Sequence, residues 1–169
     1  IAAVGNNAKG VAGVNWKAKI IALRVFNDDG DGYTNWTIDA LNYLCELIDE
    51  HPEMKLAAVN LSLGCWISSS PSEMVSQNHP YWAAYKALSD KNKIVICVSA
   101  GNDSIEVGKQ GTGVRAGMYK YPCSFLNISN MIVVGAADNN SSYSKSSFSN
   151  YSTTYVDVAA PGRGIVSTV

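Results

Sequence analysis

The sequence predicts an α/β domain with a doubly wound, mostly parallel sheet and helices on both faces. Short apolar segments rich in β-branched residues alternate along the chain with helical patterns, an order typical of strand–helix–strand units with right-handed crossovers. In addition, Ile94–Ala100 is apolar almost throughout, as strands covered on both faces are.

The first predicted strand and helix lie in the N-terminal third of the chain. Lys19–Phe26 is a short apolar run stopped by Asn-Asp-Asp-Gly-Asp-Gly, which predicts a buried strand followed by a loop. A helix over about Trp36–Glu50 comes next, with Thr34 or Asn35 as its N-cap. Its apolar residues recur at three- and four-residue steps: Ile38, Leu41, Cys45 and Ile48.

Two further strands flank the second predicted helix. Leu56–Leu63 is the second strand, and a Ser/Pro-rich stretch without predicted structure follows it. Pro80 suits the first turn of a helix, which we expect to continue through Asn92. Ile94–Ala100 is then the third strand, so the alternating order is complete to this point.

After Gly101 the pattern changes. Asp103–Tyr121 is a long loop with several glycines, and loops of that length in a compact domain are usually functional or mobile. Met131–Ala136 is a predicted strand, and two more, Tyr155–Ala160 and Ile165–Val169, are predicted around Pro161-Gly162.

Composition excludes two classes of partner. The 169 residues include 13 Lys+Arg and 14 Asp+Glu, a net charge of −1, so there is no basic stripe for a nucleic acid. The longest apolar runs are far shorter than the roughly 18 residues of a membrane span. None of the four cysteines forms a Cys-x-x-Cys pair, and we expect free thiols rather than a zinc site or disulfides.

Most segments that resemble a known binding motif do not meet its requirements. The run from Asn27 matches the opening of an EF-hand loop, but Ile38 stands where a bidentate Glu is required. Gly111–Gly117 has the wrong spacing for a dinucleotide-binding loop. His51 and His79 are expected to lie at helix ends on the surface. Residue types alone therefore reveal no base, activated nucleophile or metal cluster.

Ser99-Ala100-Gly101-Asn102 stands out because it ends the third strand, at the sheet edge where open α/β folds bind ligands. Gly101 allows a close backbone approach, and the Asn102 side chain offers an N–H donor there. The competing interpretation is an Asn that merely caps a turn after a strand.

The sequence resembles those of the subtilisin-like serine protease family, the subtilases. The resemblance consists of a series of segments in the family's order along essentially the whole chain. The matching segments are Asn7–Val14, Val25–Trp36, Val59–Gly64, Ile94–Asn102, Tyr121-Pro122, Ile132–Ala136, Ser147–Ser149 and Val156–Gly162.

The resemblance implies that the family's Asp, His and Ser motifs fall outside this sequence. The His motif would end directly before Ile1, the Ser motif would begin beyond Val169, and the Asp strand lies earlier still. Residues 1–169 are thus expected to be the central part of one catalytic domain, with an incomplete sheet, and the isolated chain is expected to be inactive and to self-associate through unpaired edges.

The resemblance assigns substrate-binding residues and the oxyanion-hole residue to this chain. Asn102 matches the family's oxyanion-hole Asn, which favours the charged transition state. Two groups match strands lining the pocket for the side chain before the scissile bond, namely Ser62-Leu63-Gly64 and Ser99-Ala100-Gly101. Gly30-Asp31-Gly32, with Ser62–Gly64, matches the segments flanking an extended polypeptide substrate.

The remaining implications concern metals, specificity and compartment. Asn7 matches part of a structural calcium site whose other ligands lie upstream, and no cofactor is required for the chemistry. Tyr121-Pro122 matches a site where the bond is typically cis. Asp31 and Asp103 predict a mild preference for basic substrate residues. The resemblance alone suggests a secreted or cell-envelope protein.

Two alternatives stay open on the sequence alone. One is a non-catalytic peptide-binding or scaffold protein on a subtilase-derived fold, which altered Asp, His or Ser motifs in the flanking sequence would indicate. The other is a generic nucleotide-binding α/β domain, which a shift of the melting temperature by nucleotide would indicate.

Overall fold

The computed structural model describes residues 1–91 and 94–167. Three α-helices, one short 3₁₀ helix and six strands form in the described part of the chain. In chain order they are α1 (Thr34–Glu50), β1 (Ala58–Leu61), β2 (Cys65–Ile67), α2 (Pro71–Ser76), α3 (Pro80–Ser89), β3 (Val95–Ser99), the 3₁₀ helix Gly113–Arg115, β4 (Tyr119–Tyr121), β5 (Met131–Asp138) and β6 (Val158–Arg163).

The main sheet has four parallel strands in the order β1-β3-β5-β6. Asn60 pairs with Cys97, and Cys97 in turn pairs with Ile132, so the strands are aligned and end at one common edge. The predicted α/β class with a mostly parallel sheet is confirmed. A separate antiparallel pair, β2 with β4, joins the loop after β1 to the long loop after β3.

The core lies between one face of the sheet and helices α1 and α3, which pack against each other. In β3 the residues alternate: Ile96 and Val98 are buried, whereas Cys97 and Ser99 are only partly buried on the other face. Leu41 of α1 is buried, as the helical periodicity predicts. Each such side chain contributes roughly 1.5–3 kcal/mol of hydrophobic free energy, so this interface holds β3 in place.

An aromatic cluster anchors the start of the segment after β4. The Tyr121 and Phe125 ring centroids are 5.0 Å apart, and Phe125 also contacts Tyr85 at 5.1 Å. The buried Tyr121 hydroxyl donates a hydrogen bond to the Ser69 carbonyl oxygen at 2.8 Å. The Tyr121-Pro122 bond is cis, as the family resemblance suggested.

The predicted strand over Lys19–Phe26 is wrong. This segment is not part of a sheet, and Ile20 is 67% exposed. Leu23 alone of its larger side chains packs against the core cluster. A β-branched run adopts an extended backbone readily, but it becomes a strand only where a neighbour supplies the ladder of hydrogen bonds.

Two predictions near the C-terminal part also need correction. One continuous strand, β6, runs through Pro161-Gly162, where the sequence predicted a break. Pro161 lies in the outer strand of the described sheet, a position in which proline is tolerated. Residues 165–167 form no strand, and positions 168–169 of the predicted last strand lie outside the described residues.

The helices differ from the prediction in three respects. α1 begins at Thr34, and its N-cap, Tyr33, makes no side-chain cap. α3 begins at Pro80 as predicted but ends at Ser89, before the predicted end at Asn92, which itself lies outside the described residues. The sequence analysis missed α2, although a Ser-x-x-Glu capping box, Ser70 with Glu73, marks its start.

Candidate substrate groove

A groove lies at the carboxyl edge of the four-stranded sheet, where strands β1, β3, β5 and β6 all end. Its volume is about 240 Å³, smaller than the 300–1,000 Å³ of typical small-molecule pockets. The strand-end residues that line it include Asn60, Ser62, Ser99, Gly101, Asn102 and Gly162. It offers neutral hydroxyls, amides and backbone groups, which suits a peptide backbone better than a charged ligand.

Asn102 lies on the turn that follows β3. Gly101 adopts φ +98, a left-handed conformation that reverses the chain direction immediately before Asn102. The Asn102 side chain is exposed at the groove, and none of its atoms makes a hydrogen bond within the described residues. Its amide is therefore free to donate to a bound group.

An ion pair lies beside this turn, between Asp103 and Lys120. The Lys120 ammonium nitrogen lies 3.1 Å from Asp103 Oδ2 and 5.2 Å from the centre of the Trp66 ring. Lys120 and Trp66 are opposite each other in the β2–β4 pair. The two charges neutralise each other, and the Lys120 side chain is 16% exposed.

Gly64 faces this Lys120 side chain. A Cβ atom at Gly64 would lie 2.9 Å from the Tyr121 carbonyl oxygen and 3.3 Å from Lys120 Cε. Any side chain there would collide with the backbone of β4. Gly64 is therefore packed directly against β4.

The cysteines next to this region are not activated nucleophiles. Burial raises the pKa of Cys65 to about 11 and that of Cys123 to about 12. A thiol with a raised pKa is protonated near neutral pH and is a weak nucleophile. All four cysteines are free thiols.

The structure brings only some of the predicted site residues together. Ser62, Ser99, Gly101 and Asn102 line the groove, whereas the buried Ala100 faces the core and the half-buried Leu63 packs against it. The sequence analysis missed the groove residues that lie within the strands, most of which are small or polar: Asn60, Cys97, Val98, Val134–Ala136 and Ala160–Gly162.

Gly30, Asp31 and Gly32 lie elsewhere, in the exposed turn before α1. Asn27 orders this turn: its Oδ1 accepts from the backbone N–H of Asp31 at 2.8 Å, and its own N–H donates to the Asp31 carbonyl. Gly30 has φ +84, which a side chain would strain. The turn does not line the groove.

Asn7 and the histidines also lie apart from the groove residues. Asn7 is exposed, and its Oδ1 accepts a hydrogen bond from the Lys9 N–H at 3.1 Å. No group of three or more His, Cys, Asp or Glu that could hold a metal occurs in residues 1–91 and 94–167. His79 caps α3, accepting from the Tyr81 N–H, and His51 is the C-cap of α1.

No helix in the described part of the chain is both long and apolar enough to cross a bilayer.

The chain belongs to the subtilase family, whose model matches residues 1–169. It is 34% identical over 167 residues to thermitase of Thermoactinomyces vulgaris, and 32% identical over 169 residues to the thermophilic serine proteinase of Bacillus sp. strain AK1. Each alignment covers 99% of this chain, but only 48% of thermitase and 33% of the Bacillus proteinase. The chain thus spans between a third and a half of these relatives' length.

Solved structures show the same fold. The MycP3 protease of the type VII (ESX-3) secretion system matches with a TM-score of 0.62 at 22% identity, over 95% of this chain and 46% of that one. The epidermin leader peptide processing protease of Staphylococcus aureus matches with a TM-score of 0.60 at 24% identity, over 82% and 33%.

Proposed function

We propose that this chain is a segment of a subtilisin-like serine endopeptidase, in which it supplies the oxyanion-hole Asn102 and substrate-binding strands. The observation that supports this most directly is the free Asn102 amide at the carboxyl edge of the sheet, in a chain of the subtilase family. An amide N–H directed at a developing oxyanion stabilises the transition state more than the ground-state carbonyl.

The proposed substrate is a polypeptide in extended conformation. Ser62-Leu63-Gly64 and Ser99-Ala100-Gly101 follow neighbouring parallel strands, and Ser62 and Ser99 line the same groove. Backbone hydrogen bonds to such segments supply affinity that depends little on sequence. The proposal also includes Gly30-Asp31-Gly32, because the family resemblance places this segment beside the extended substrate.

The nucleophile and the base are proposed to come from outside this chain. The 169-residue chain alone should then not react with a fluorophosphonate probe, which labels activated serines. Covalent labelling of the isolated chain would contradict this part of the proposal. No cofactor is proposed for the chemistry. A structural calcium ion near Asn7 remains a prediction that needs ligands from other residues.

The test of the oxyanion role is Asn102→Ala in the full-length protein that contains this chain. Removal of one such donor in a subtilisin lowers kcat by about 10²–10³, and we expect a loss of that order with little change in KM. Asn139→Ala, an exposed Asn in the loop after β5, is the matched control and should leave both constants unchanged. Equal losses in affinity and turnover would argue against the role.

A further inference from the structure

Asn150 is a buried polar residue whose side chain bonds entirely to the segment carrying Asn102. Its side chain is 1% exposed. Asn150 Oδ1 accepts from the backbone N–H of Asp103 at 2.8 Å and from that of Ile105 at 3.2 Å. Its Nδ2 donates to the Ala100 carbonyl oxygen at 2.8 Å and lies 3.3 Å from Asp103 Oδ2.

These bonds reach both sides of Asn102. Ala100 precedes it by two residues and Asp103 follows it directly, so one rigid amide group links the start and the end of the turn. The Asn150 backbone N–H adds a bond to the Gly101 carbonyl oxygen at 2.9 Å. The turn therefore has little freedom to rotate the Asn102 backbone, although Asn102 itself is held by no side-chain bond of its own within the described residues.

Gly101 shows how closely the two segments approach. A Cβ atom at Gly101 would lie 2.6 Å from Asn150 Nδ2, less than any contact between real atoms of this type. The absent side chain at Gly101 thus makes room for the Asn150 amide. Turn and amide are complementary in shape as well as in hydrogen bonding.

We propose that Asn150 is the positioning residue for Asn102: it holds the turn so that the Asn102 amide points into the groove. This inference rests on the proposed oxyanion role of Asn102. An oxyanion donor is effective only when it is already oriented before the charge develops, because reorientation during the reaction would cost energy. A misplacement of about 1 Å in such a group can cost a factor of 10² in rate.

The chemistry of an amide is required at this position. An Asp would keep an acceptor for the two backbone N–H groups but would lose the donor to Ala100 and place a second carboxylate against Asp103. An Ala would leave both N–H groups without their acceptor. Each change should loosen the turn while removing nothing that touches a substrate.

Other bonds keep the neighbouring backbone in place when Asn150 is changed. The Ser104 N–H donates to the Phe148 carbonyl oxygen at 3.0 Å, and the Tyr151 N–H donates to the Ile105 carbonyl oxygen at 3.0 Å. Ser104 Oγ also donates to the Ser147 carbonyl oxygen at 2.7 Å. Ser104→Ala removes one bond between the same two segments without touching the Asn102 turn, which makes it a matched control.

The experiment is a double-mutant cycle between Asn150 and Asn102 in the full-length protein, with kcat and KM measured for a peptide substrate. We expect Asn150→Ala and Asn150→Asp each to lower kcat roughly 10- to 100-fold with KM changed less than about threefold. In the Asn102→Ala background the same changes should lower kcat less than about twofold, because the donor they position is gone. Ser104→Ala should leave kcat nearly unchanged.

A kcat loss from Asn150 substitution that persists undiminished in the Asn102→Ala background would overturn the positioning role. So would a loss that Ser104→Ala reproduces, since the segment as a whole would then be responsible. If Asn150→Ala fails to fold, Asn150→Asp, which keeps the volume and the acceptor, completes the cycle. If Asn102→Ala itself leaves kcat unchanged, the proposed function fails, and the inference fails with it.

Discussion

The Lys120 ammonium group lies 3.1 Å from the carboxylate of Asp103, the residue that directly follows Asn102 in the chain. Asp103 is thereby balanced by a cation 17 residues further along the chain. The sequence-based expectation of a preference for basic substrate residues considered Asp103 without this partner. Because Lys120 neutralises Asp103, we expect Asp103 to give no preference for basic substrate side chains while this pair is intact.

Replacing either member of the Asp103–Lys120 pair should change the preference for charged substrate residues, and the two replacements should change it in opposite directions. Lys120→Met leaves Asp103 without a cation and should raise kcat/KM for a basic side chain before the scissile bond, relative to an acidic one. Asp103→Asn should have the reverse effect. We expect about a tenfold change in each ratio, equivalent to about 1.4 kcal/mol. Profiling of the full-length protein with matched Lys, Gln and Glu peptides measures this.

The exposed Lys109 provides the control for that experiment. Lys109→Met changes the net charge equally, but Lys109 forms no ion pair with Asp103, so this change should leave the preference unaltered. A parallel shift with Lys109→Met would show that total charge, and not the local pair, controls specificity.

Gly101→Ala should disturb the site more than the same change at another glycine with positive φ. Gly117 has φ +77, and a Cβ atom there would have no atom within 4 Å, so Gly117→Ala should cost only the backbone strain, about 1–2 kcal/mol. Gly101→Ala adds the clash with Asn150 Nδ2. We therefore expect a larger loss of unfolding free energy, measured in urea, and a loss of kcat that Gly117→Ala does not show. Equal effects at the two glycines would contradict the close packing of Asn150.

Alkaline pH should destabilise the fold through its buried thiol Cys123. The pKa of this group is raised by burial from 9.0 to about 12 in the folded chain, so the unfolded state loses its proton first. The associated stability is fully present below about pH 9 and is lost as pH rises towards about 12. At pH 10 the loss is about 1.4 kcal/mol. Urea unfolding between pH 8 and pH 10 measures it.

In Cys123→Ala this part of the pH dependence should vanish. The free energy of unfolding should then fall less steeply between pH 8 and pH 10 than in the unmodified protein, because one fewer group titrates. Val107→Ala truncates another buried side chain that does not titrate, and it should lower stability by the same amount at every pH. A pH profile of Cys123→Ala parallel to that of the unmodified protein would show that this thiol does not contribute.

The 169-residue chain by itself should self-associate. Within the described residues β1 pairs only with β3, and β6 pairs only with β5, so both outer strands have an unpaired edge. Val158 on β6 is 49% exposed. Multi-angle light scattering should detect dimers or larger species, and Val158→Lys should shift them towards monomer. A single monomeric species of the unmodified chain over a range of concentrations would rule this out.

The elements that were predicted correctly are those in which the spacing of apolar residues matches the face that is buried in the structure. The three- and four-residue spacing in α1 predicted a helix with Leu41 inward, and the continuous apolar run of β3 predicted a central strand. Both elements form because their apolar residues are buried away from water, and the spacing of apolar residues within each segment is enough to indicate this. The turn after β3 was located for the same reason, because Gly101 ends the apolar run.

Other features depended on partners distant in sequence. Lys19–Phe26 has the composition of a strand, yet it lacks a hydrogen-bonding neighbour in the described chain. The sequence also contained no sign that Lys120 would neutralise Asp103, or that Asn150 would bond to the Asn102 turn 48 residues before it. Charge pairing and side-chain-to-backbone hydrogen bonds require distances, and spacing along the chain does not supply these.

The sequence by itself determined the α/β class, the order of the main elements and the position of Asn102 at a strand end. These follow from hydrophobic periodicity and from the conformational freedom of Gly101, both local properties. Only the tertiary structure decided which residues surround Asn102: the Asn150 amide beneath its turn and the Asp103–Lys120 pair beside it. Hydrogen bonds and ion pairs act over a few ångströms, so they become visible only after folding has brought these segments together.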